Sequence, residues 1–289
     1  MITDKQIERY LNDLAQRFPQ NKSDYYLSYS GGKDSHFLYW FIKEYLHDNE
    51  IVIVGVNTYM EHPQILKRIK ENSDVVLLPE IKPFEIKDKY GIPCFSKIQD
   101  EIIRRFQNGS RAPSTMNFIY GLKKDGTKNN GRFKLNKIAK TKLLDETLHK
   151  VSSECCKYLK KKPVHEYEKM TNKKPIIGVR GAEGGLRASQ YTSCFTKDGK
   201  FTPLWDLDDE MLDAIYKKYN IEIPPIYEQI DRTGCFGCPY GSWKHNTEKE
   251  LRMLTKAQRK FVCDYFKESY DVLKIDYESI KKECGDYDE

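Results

Sequence analysis

Asp24-Tyr-Tyr-Leu-Ser-Tyr29, followed without a break by Ser30-Gly-Gly-Lys-Asp-Ser35, decides how this chain folds. The first six residues are a short apolar and aromatic run of the kind buried in a sheet. The next six form a glycine turn, and an apolar helical pattern then continues through Leu46. Strand, glycine turn and helix in this order let backbone N–H groups converge on one centre while the helix N-terminus adds its positive dipole end. Gly31 and Gly32 permit backbone geometry closed to residues with a Cβ, Ser30 and Ser35 offer hydroxyls, and Lys33 brings a full positive charge. The hexapeptide therefore reads as a phosphate cradle. It is not of the Walker type, which has four residues between its glycines and a Gly-Lys-Ser/Thr ending. A plain glycine turn with an Asp/Ser helix cap requires neither two glycines nor the lysine.

Outward from this point strands and helices alternate. Ile7, Tyr10, Leu11, Leu14 and Phe18 recur at helical spacing over Asp4 to Phe18, and Pro19 ends that helix. Ile51 to Asn57 reads as a second strand, Pro63 to Glu71 as a helix, and Asp74 to Leu78 as a third strand. Such alternation implies right-handed crossovers and a parallel sheet. Gly91 to Lys97 is a turn entering a helix over Ile98 to Phe106, and Gly121 to Gly131 is a glycine-rich basic surface loop. Helical pattern returns from Leu135 to Leu159, and Pro175 to Val179 reads as another buried strand closing on Arg180. A helix over Asp209 to Tyr219, a proline-rich loop, a cysteine-bearing turn and a long helix from Thr247 to Tyr270 complete the pattern. The expected fold class is α/β, with a Rossmann-like parallel sheet flanked by helices and a helical, cysteine-bearing C-terminal part. The expected divisions are an N-terminal helix at 1–20, a nucleotide-binding domain at 21–205 with a basic insertion at 107–142, and a helical region at 206–289.

Composition narrows the class. Of 289 residues 39% are hydrophobic, 32% charged and 12% aromatic, too apolar for a disordered chain and too polar for a membrane one. The apolar run Ile51 to Val56 falls far short of the roughly 20 residues a bilayer span needs. The alternating charges of MITDKQIERYLNDL leave no apolar core for a signal peptide, which argues for a cytoplasmic, reducing compartment. From Arg104 to Lys174 there are 19 Lys and Arg against 6 Asp and Glu, so a net charge of +6 hides a strongly basic middle. Such a block attracts phosphorylated ligands or nucleic acid, and solvated lysines on helix faces produce the same count.

In a reducing compartment the eight cysteines are better used for metal or redox chemistry than for disulfides. Cys235-x-x-Cys238-Pro239 sits in the glycine-punctuated stretch RTGCFGCPYG, where two thiolates reach one centre at little backbone cost. Cys155, Cys156 and Cys194 lie upstream, so five sulfurs compete for four places. Zn²⁺ and an iron–sulfur cluster both suit four soft thiolates. Cys94 and Cys263 read as small core residues, and His36 and His62 as packing or hydrogen-bonding histidines. No Ser/His/Asp or paired-carboxylate arrangement stands out.

SGGKDS after the first strand resembles the pyrophosphate loop of the N-type ATP pyrophosphatases and of the phosphoadenylyl-sulfate (PAPS) reductases, a superfamily of adenine nucleotide alpha hydrolase-like, HUP-type domains. Asn57-Thr58 with Glu61-His62-Pro63, Gly91-Ile-Pro with Ser96-Lys97, Cys155-Cys156, Gly178-Val-Arg180 with Arg187, and Cys235-Phe-Gly-Cys238-Pro239 follow in the order found in PAPS-reductase-like proteins. The resemblance covers residues 20 to 245 and departs at Gly184-Gly185, where relatives commonly have Glu-Ser. It implies that an adenylyl nucleotide, ATP with Mg²⁺ or APS/PAPS, is held by Ser28, Ser30, Gly31, Gly32, Lys33, Asp34, Ser35, Asn57, Thr58, Lys97, Arg180 and Arg187. A Cys-Cys pair far upstream of a CxxC is the arrangement of [4Fe-4S]-carrying adenylyl-sulfate reductases, which favours that cluster over zinc. Lys282-Glu-Cys284-Gly285 is similar to the tail that carries the nucleophilic thiol of PAPS reductases, though the Leu/Ile-His that follows there is Asp286-Tyr287 here. The implied catalytic set is Lys33, Asp34 and Cys284. The implied function is sulfur transfer or sulfonucleotide reduction beside the cluster, served by a sulfur or electron donor protein and compatible with a homo-oligomer. One alternative is an ATP pyrophosphatase-type enzyme that thiolates nucleic acid, as in DNA phosphorothioation or RNA thiolation; many such chains are encoded by phages and mobile elements. A second alternative is a non-enzymatic, metal-stabilised nucleic-acid-binding protein.

Overall fold

In the computed structural model of the chain, residues 2–131, 133–183, 190–230, 233–244 and 246–286 are described. The chain divides into two compact units, one of residues 1–78 with 162–233 and the other of 79–161 with 234–289. The first unit is built on four parallel strands, β1 (Tyr25–Tyr29), β2 (Val52–Val56), β3 (Val75–Leu77) and β4 (Lys174–Ile176), in the order β3-β2-β1-β4. Leu27 lies beside Ile53 on one side and Ile176 on the other, and all three are buried. This is the parallel sheet that the alternating pattern predicts. Its order reverses across β1, and an α/β sheet places its crevice at the carboxyl ends of the strands at such a point. SGGKDS leaves the sheet there.

Helices α1 (Asp4–Arg17), α2 (Lys33–Trp40), α3 (Pro63–Asn72), α8 (Lys162–Thr171) and α9 (Asp209–Lys218) belong to the same unit. Thr3 and Gln6 form a capping box that starts α1, whose buried stripe is Ile7, Leu11 and Leu14. α9 buries Leu212, Ile215 and Tyr216 and packs against α1. Residues 206–233 therefore join the first unit rather than a C-terminal region, because their apolar face finds its partner at the N-terminus. β4 is shorter than the strand expected over 175–179. The Val179 N–H turns back to the Ile177 carbonyl, and Ile176, besides pairing with β1, bridges to Phe201.

The second unit is helical: α4 (Pro83–Tyr90), α5 (Lys97–Gln107), α6 (Pro113–Tyr120), α7 (Lys137–Leu144), α10 (Asn246–Met253), α11 (Lys256–Leu273) and α12 (Tyr277–Glu283). Its core includes Cys94, Ile103, Ile119, Ala139, Leu143 and Val151. The helix expected over 135–159 stops at Leu144. There the Thr147 and Leu148 N–H groups fold back onto the Lys142 carbonyl, and Val151 bridges to Ile92. The helix expected over 247–270 is two helices. Thr255 and Gln258 form a capping box that starts α11 afresh. Cys263 on α11 is a core residue, as the pattern predicts. The 121–131 segment is an exposed turn closed by a bridge between Leu122 and Lys128.

Glu250 on α10 is buried, and its Oε2 accepts the Gly237 N–H at 2.9 Å. Burial pushes its carboxyl up from 4.5 to about 7. Between those values the folded chain holds a proton that the unfolded chain has lost, so stability falls as pH rises through that window. The loss should be on the order of 3 kcal/mol. Urea unfolding across the window should show it, and Glu250→Gln, which keeps an acceptor without a charge, should flatten the slope. An unchanged slope would assign the pH dependence to other groups.

Candidate functional site

The first unit carries the glycine turn. Gly31 adopts φ 71°, and its α-carbon packs so closely on α3 that a Cβ there would lie 3.0 Å from the Ile65 side chain. A left-handed backbone and a tight floor both demand glycine at this position. Ser35 Oγ accepts the Ser30 N–H at 3.2 Å and donates to the Gly32 carbonyl at 3.1 Å, while the Ser30 and Ser35 hydroxyls lie 3.0 Å apart. The turn thus enters α2 with its serines holding it closed and Gly32 as the residue before the helix. Ser28 stays half-buried within β1.

Lys33 Nζ pairs with Asp213 at 3.0 Å, with both side chains partly exposed. An exposed pair of this kind is worth at most about 1 kcal/mol, so the lysine is available to an anion that competes for it. Arg180 is held differently. It is buried, its Nε donates to Asp34 at 2.7 Å, and its Nη1 pairs with Asp209 at 2.8 Å. Gly178 lets this stretch approach α2, since a Cβ there would stand 3.0 Å from the Asp34 carbonyl. Arg180 is therefore the anchor of Asp34 at the first turn of α2, not an open guanidinium. At the end of β2, Glu61 accepts both the Thr58 N–H at 2.8 Å and the Thr58 hydroxyl at 2.6 Å, and Asn57 Oδ1 accepts the Tyr59 N–H. Tyr59, at φ 66° and exposed, projects from this locked turn. Arg187 lies outside the described residues.

Beneath the turn sit the two histidines. His36 Nδ1 is 2.9 Å from the Tyr29 hydroxyl, and burial together with the charge of Arg68 pushes its pKa down to about 3. His62 caps α3 by accepting the Gln64 N–H, and burial lowers its pKa as well. Both are neutral hydrogen-bonding residues.

The second unit brings Cys155, Cys156, Cys235 and Cys238 into one neighbourhood. The Cys155 thiol donates to Cys156, and the charges of Cys156, Cys238 and Cys235 all oppose its ionisation. Cys156 is pushed down to about 6, first by that hydrogen bond and then by Lys97, Lys160 and Lys161. Lys97, expected at the nucleotide, thus stands in the second unit beside this thiol. Desolvation raises Cys238. Among the described residues no group of three or more His, Cys, Asp or Glu stands at metal-binding geometry, and no disulfide is formed. Cys194 belongs to the first unit, where its carbonyl accepts the Thr202 N–H and its sulfur acts on the charge of Arg17. Cys284 closes α12, next to a turn tied down by the buried pair of Arg259 with Asp286.

Three side chains at these places escaped the sequence. Tyr227 and Asp213 meet Lys33 across more than 170 residues, and no local pattern marks them. Tyr265 on α11 is wholly buried, its hydroxyl has no hydrogen-bond partner among the described residues, and burial first and then the charges of Cys155, Cys235, Cys238 and Cys156 oppose its ionisation.

No protein of curated function matches the chain. Among solved structures it is similar to the phosphoadenylyl-sulfate (PAPS) reductase of Candida auris, solved as a phosphate complex, at 11% identity and a TM-score of 0.42 over 79% of this chain and 92% of that one. It is also similar to the NH3-dependent NAD synthetase of Campylobacter jejuni, solved with the nitrate ion, at 14% identity and a TM-score of 0.37 over 94% of this chain and 96% of that one. The family profile described as phosphoadenosine phosphosulfate reductase domain matches residues 104–240, a stretch that includes the Cys-Cys pair, Arg180 and the CxxC turn. The similarity to the phosphoadenosine phosphosulfate reductase domain thus extends over just under half of the chain.

Proposed function

We propose that the chain is an enzyme that binds the phosphates of an adenylyl nucleotide, ATP or APS/PAPS, at SGGKDS and carries out sulfonucleotide reduction or sulfur transfer. The observation that carries this reading is the glycine turn itself: a left-handed Gly31 at the carboxyl end of β1, opening α2 where the strand order reverses. The match of residues 104–240 to a PAPS reductase domain supports the sulfur side of the chemistry. Lys33, Asp34 and the serine hydroxyls bind and orient the phosphates, with Mg²⁺ neutralising them when the nucleotide is ATP.

The donor set in the second unit fits a thiolate-held metal group. Four cysteines share one neighbourhood, one of them is pushed toward ionisation at neutral pH, and the buried Tyr265 hydroxyl near them lacks an acceptor among the described residues. Cys155, Cys156, Cys235 and Cys238 would hold it, with Cys194 outside the set. A [4Fe-4S] cluster bound there would supply redox capacity to the sulfur chemistry. In sulfonucleotide reduction a cysteine thiolate, for which the sequence offers Cys284, would attack the sulfur; a sulfur–sulfur bond forms as the sulfur–oxygen bond to the nucleotide phosphate breaks, and the nucleotide leaves with the electron pair. A dithiol donor then releases sulfite and becomes a disulfide.

A second reading, that the substrate or ligand is a nucleic acid, is favoured by one surface of the second unit. Tyr120 and Phe133 are exposed, Lys140 Nζ lies 5.1 Å over the Tyr120 ring, and Lys134 flanks Gly121. Exposed rings among lysines suit stacked bases and a phosphate backbone.

Anaerobic protein incubated separately with ATP and Mg²⁺ and with APS or PAPS should yield pyrophosphate and AMP in the first case or sulfite in the second. Lys33→Ala should weaken nucleotide binding by roughly tenfold; if neither nucleotide binds and Lys33→Ala changes nothing, the enzyme reading fails. Protein purified without oxygen should be brown and contain iron and sulfide, and Cys238→Ser should lose both; a colourless protein with one zinc per chain would replace the cluster by a structural ion. If nucleic acid binds, its affinity should fall steeply with salt, and Tyr120→Ala with Phe133→Ala should weaken single strands by roughly tenfold or more.

A further inference from the structure

Lys33 is held at both ends of its peptide by tyrosines. Its carbonyl accepts the Tyr216 hydroxyl at 2.7 Å, and its amide donates to the Tyr227 hydroxyl at 3.2 Å. The two contacts differ in kind. Tyr216 is buried in the face of α9. Tyr227 is half-buried on a short turn, Pro225–Glu228, and its phenol reaches the glycine turn from outside, where a Cβ on Gly32 would stand 3.3 Å from its hydroxyl. That hydroxyl is bonded onward to Thr233 Oγ1 at 2.9 Å.

The Lys33 amide is in the first turn of α2, where backbone N–H groups have no partner within the helix. It is one of the donors a phosphate at this turn would take. A single N–H has one proton to give. A neutral phenol at 3.2 Å makes a long, ordinary bond with it, whereas a charged phosphate oxygen makes a shorter bond of roughly twice the strength, aided by the helix dipole.

We propose that Tyr227 is a displaceable occupant of the phosphate-binding turn, its hydroxyl standing on the Lys33 amide until a nucleotide phosphate replaces it, so that Tyr227 sets how tightly the turn holds phosphate. This rests on the nucleotide-binding reading above. The turn that carries Tyr227 is anchored independently, by buried Ile226 and by its N–H donating to Gln64 Oε1 at 3.0 Å. The phenol can therefore leave by side-chain rotation while the turn stays in place.

The test is calorimetric titration of the full chain with inorganic pyrophosphate and with ATP and Mg²⁺. Tyr227→Phe keeps the ring and removes the competing oxygen, and should tighten both ligands about three- to tenfold. Thr233→Val, which strips the phenol of its onward partner, should tighten them in the same direction by a smaller factor, and it serves if Tyr227→Phe fails to fold. Tyr216→Phe should not tighten either ligand. Weaker binding by Tyr227→Phe would make Tyr227 a phosphate ligand and overturn the proposal, as would unchanged affinity while the wild type binds. If neither the wild type nor the variants bind pyrophosphate or ATP, the nucleotide-binding reading falls and this proposal with it.

Discussion

A guanidinium buried between two carboxylates holds the first unit to its purpose. Arg180 joins three things that are distant in sequence: the chain leaving β4, the first turn of α2 through Asp34, and the first turn of α9 through Asp209. A buried charge of this kind is costly to leave unpaired, because its lost hydration is offset only by the partners it meets. The helix that opens on the glycine turn is thereby fixed in direction, and Gly178 allows the backbones to meet closely enough for the bond to form. Around this rigid joint the remaining ties to the turn are weak and exposed. The lysine ion pair is solvated and the tyrosine contact is long. Strong bonds set the geometry of the donors, and weak ones leave the donors free to change partner.

What was legible in the sequence was what is local. β1, the turn and α2 follow one another within twenty residues, so their apolar run, glycines and helical pattern could be read together, and β2 and β3 followed from the same alternation. The cysteine turn was legible for the same reason. The division into two units was not, because it depends on α9 meeting α1 across two hundred residues. For Lys97 and Arg180, expected at a ligand from their position in a motif, the structure adds protein neighbours that no motif marks: Cys156 for the lysine, Asp34 and Asp209 for the arginine. The break between α10 and α11 was written in Thr255-x-x-Gln258, a capping box hidden inside an otherwise continuous apolar pattern.

The thiols divide into two populations by their surroundings. Cys94 and Cys263 are buried among apolar residues, which raises their pKa and leaves them inert. The adjacent pair Cys155 and Cys156 splits instead: one sulfur keeps its proton and lends it to the other, which three lysines draw toward the thiolate. Two neighbouring residues of the same type thus acquire opposite tendencies from a single hydrogen bond. Tyr265, Tyr240 and Asp100 enclose this region with polar groups, and Asp100 also gathers the Cys94 and Phe95 amides.

One histidine and two tyrosines pack around the glycine turn: His36 and Tyr29 bond each other, and the Tyr216 hydroxyl donates to the Lys33 carbonyl. With His36 pushed down to about 3 and burial raising Tyr29 and Tyr216, none of these three changes charge across the physiological range. The floor of the turn is silent to protons. Acidification of the surrounding medium would reach bound phosphate through the ionisation of the phosphate itself, and the protein beneath would present the same electrostatic face in a mildly acidic compartment as in a neutral one.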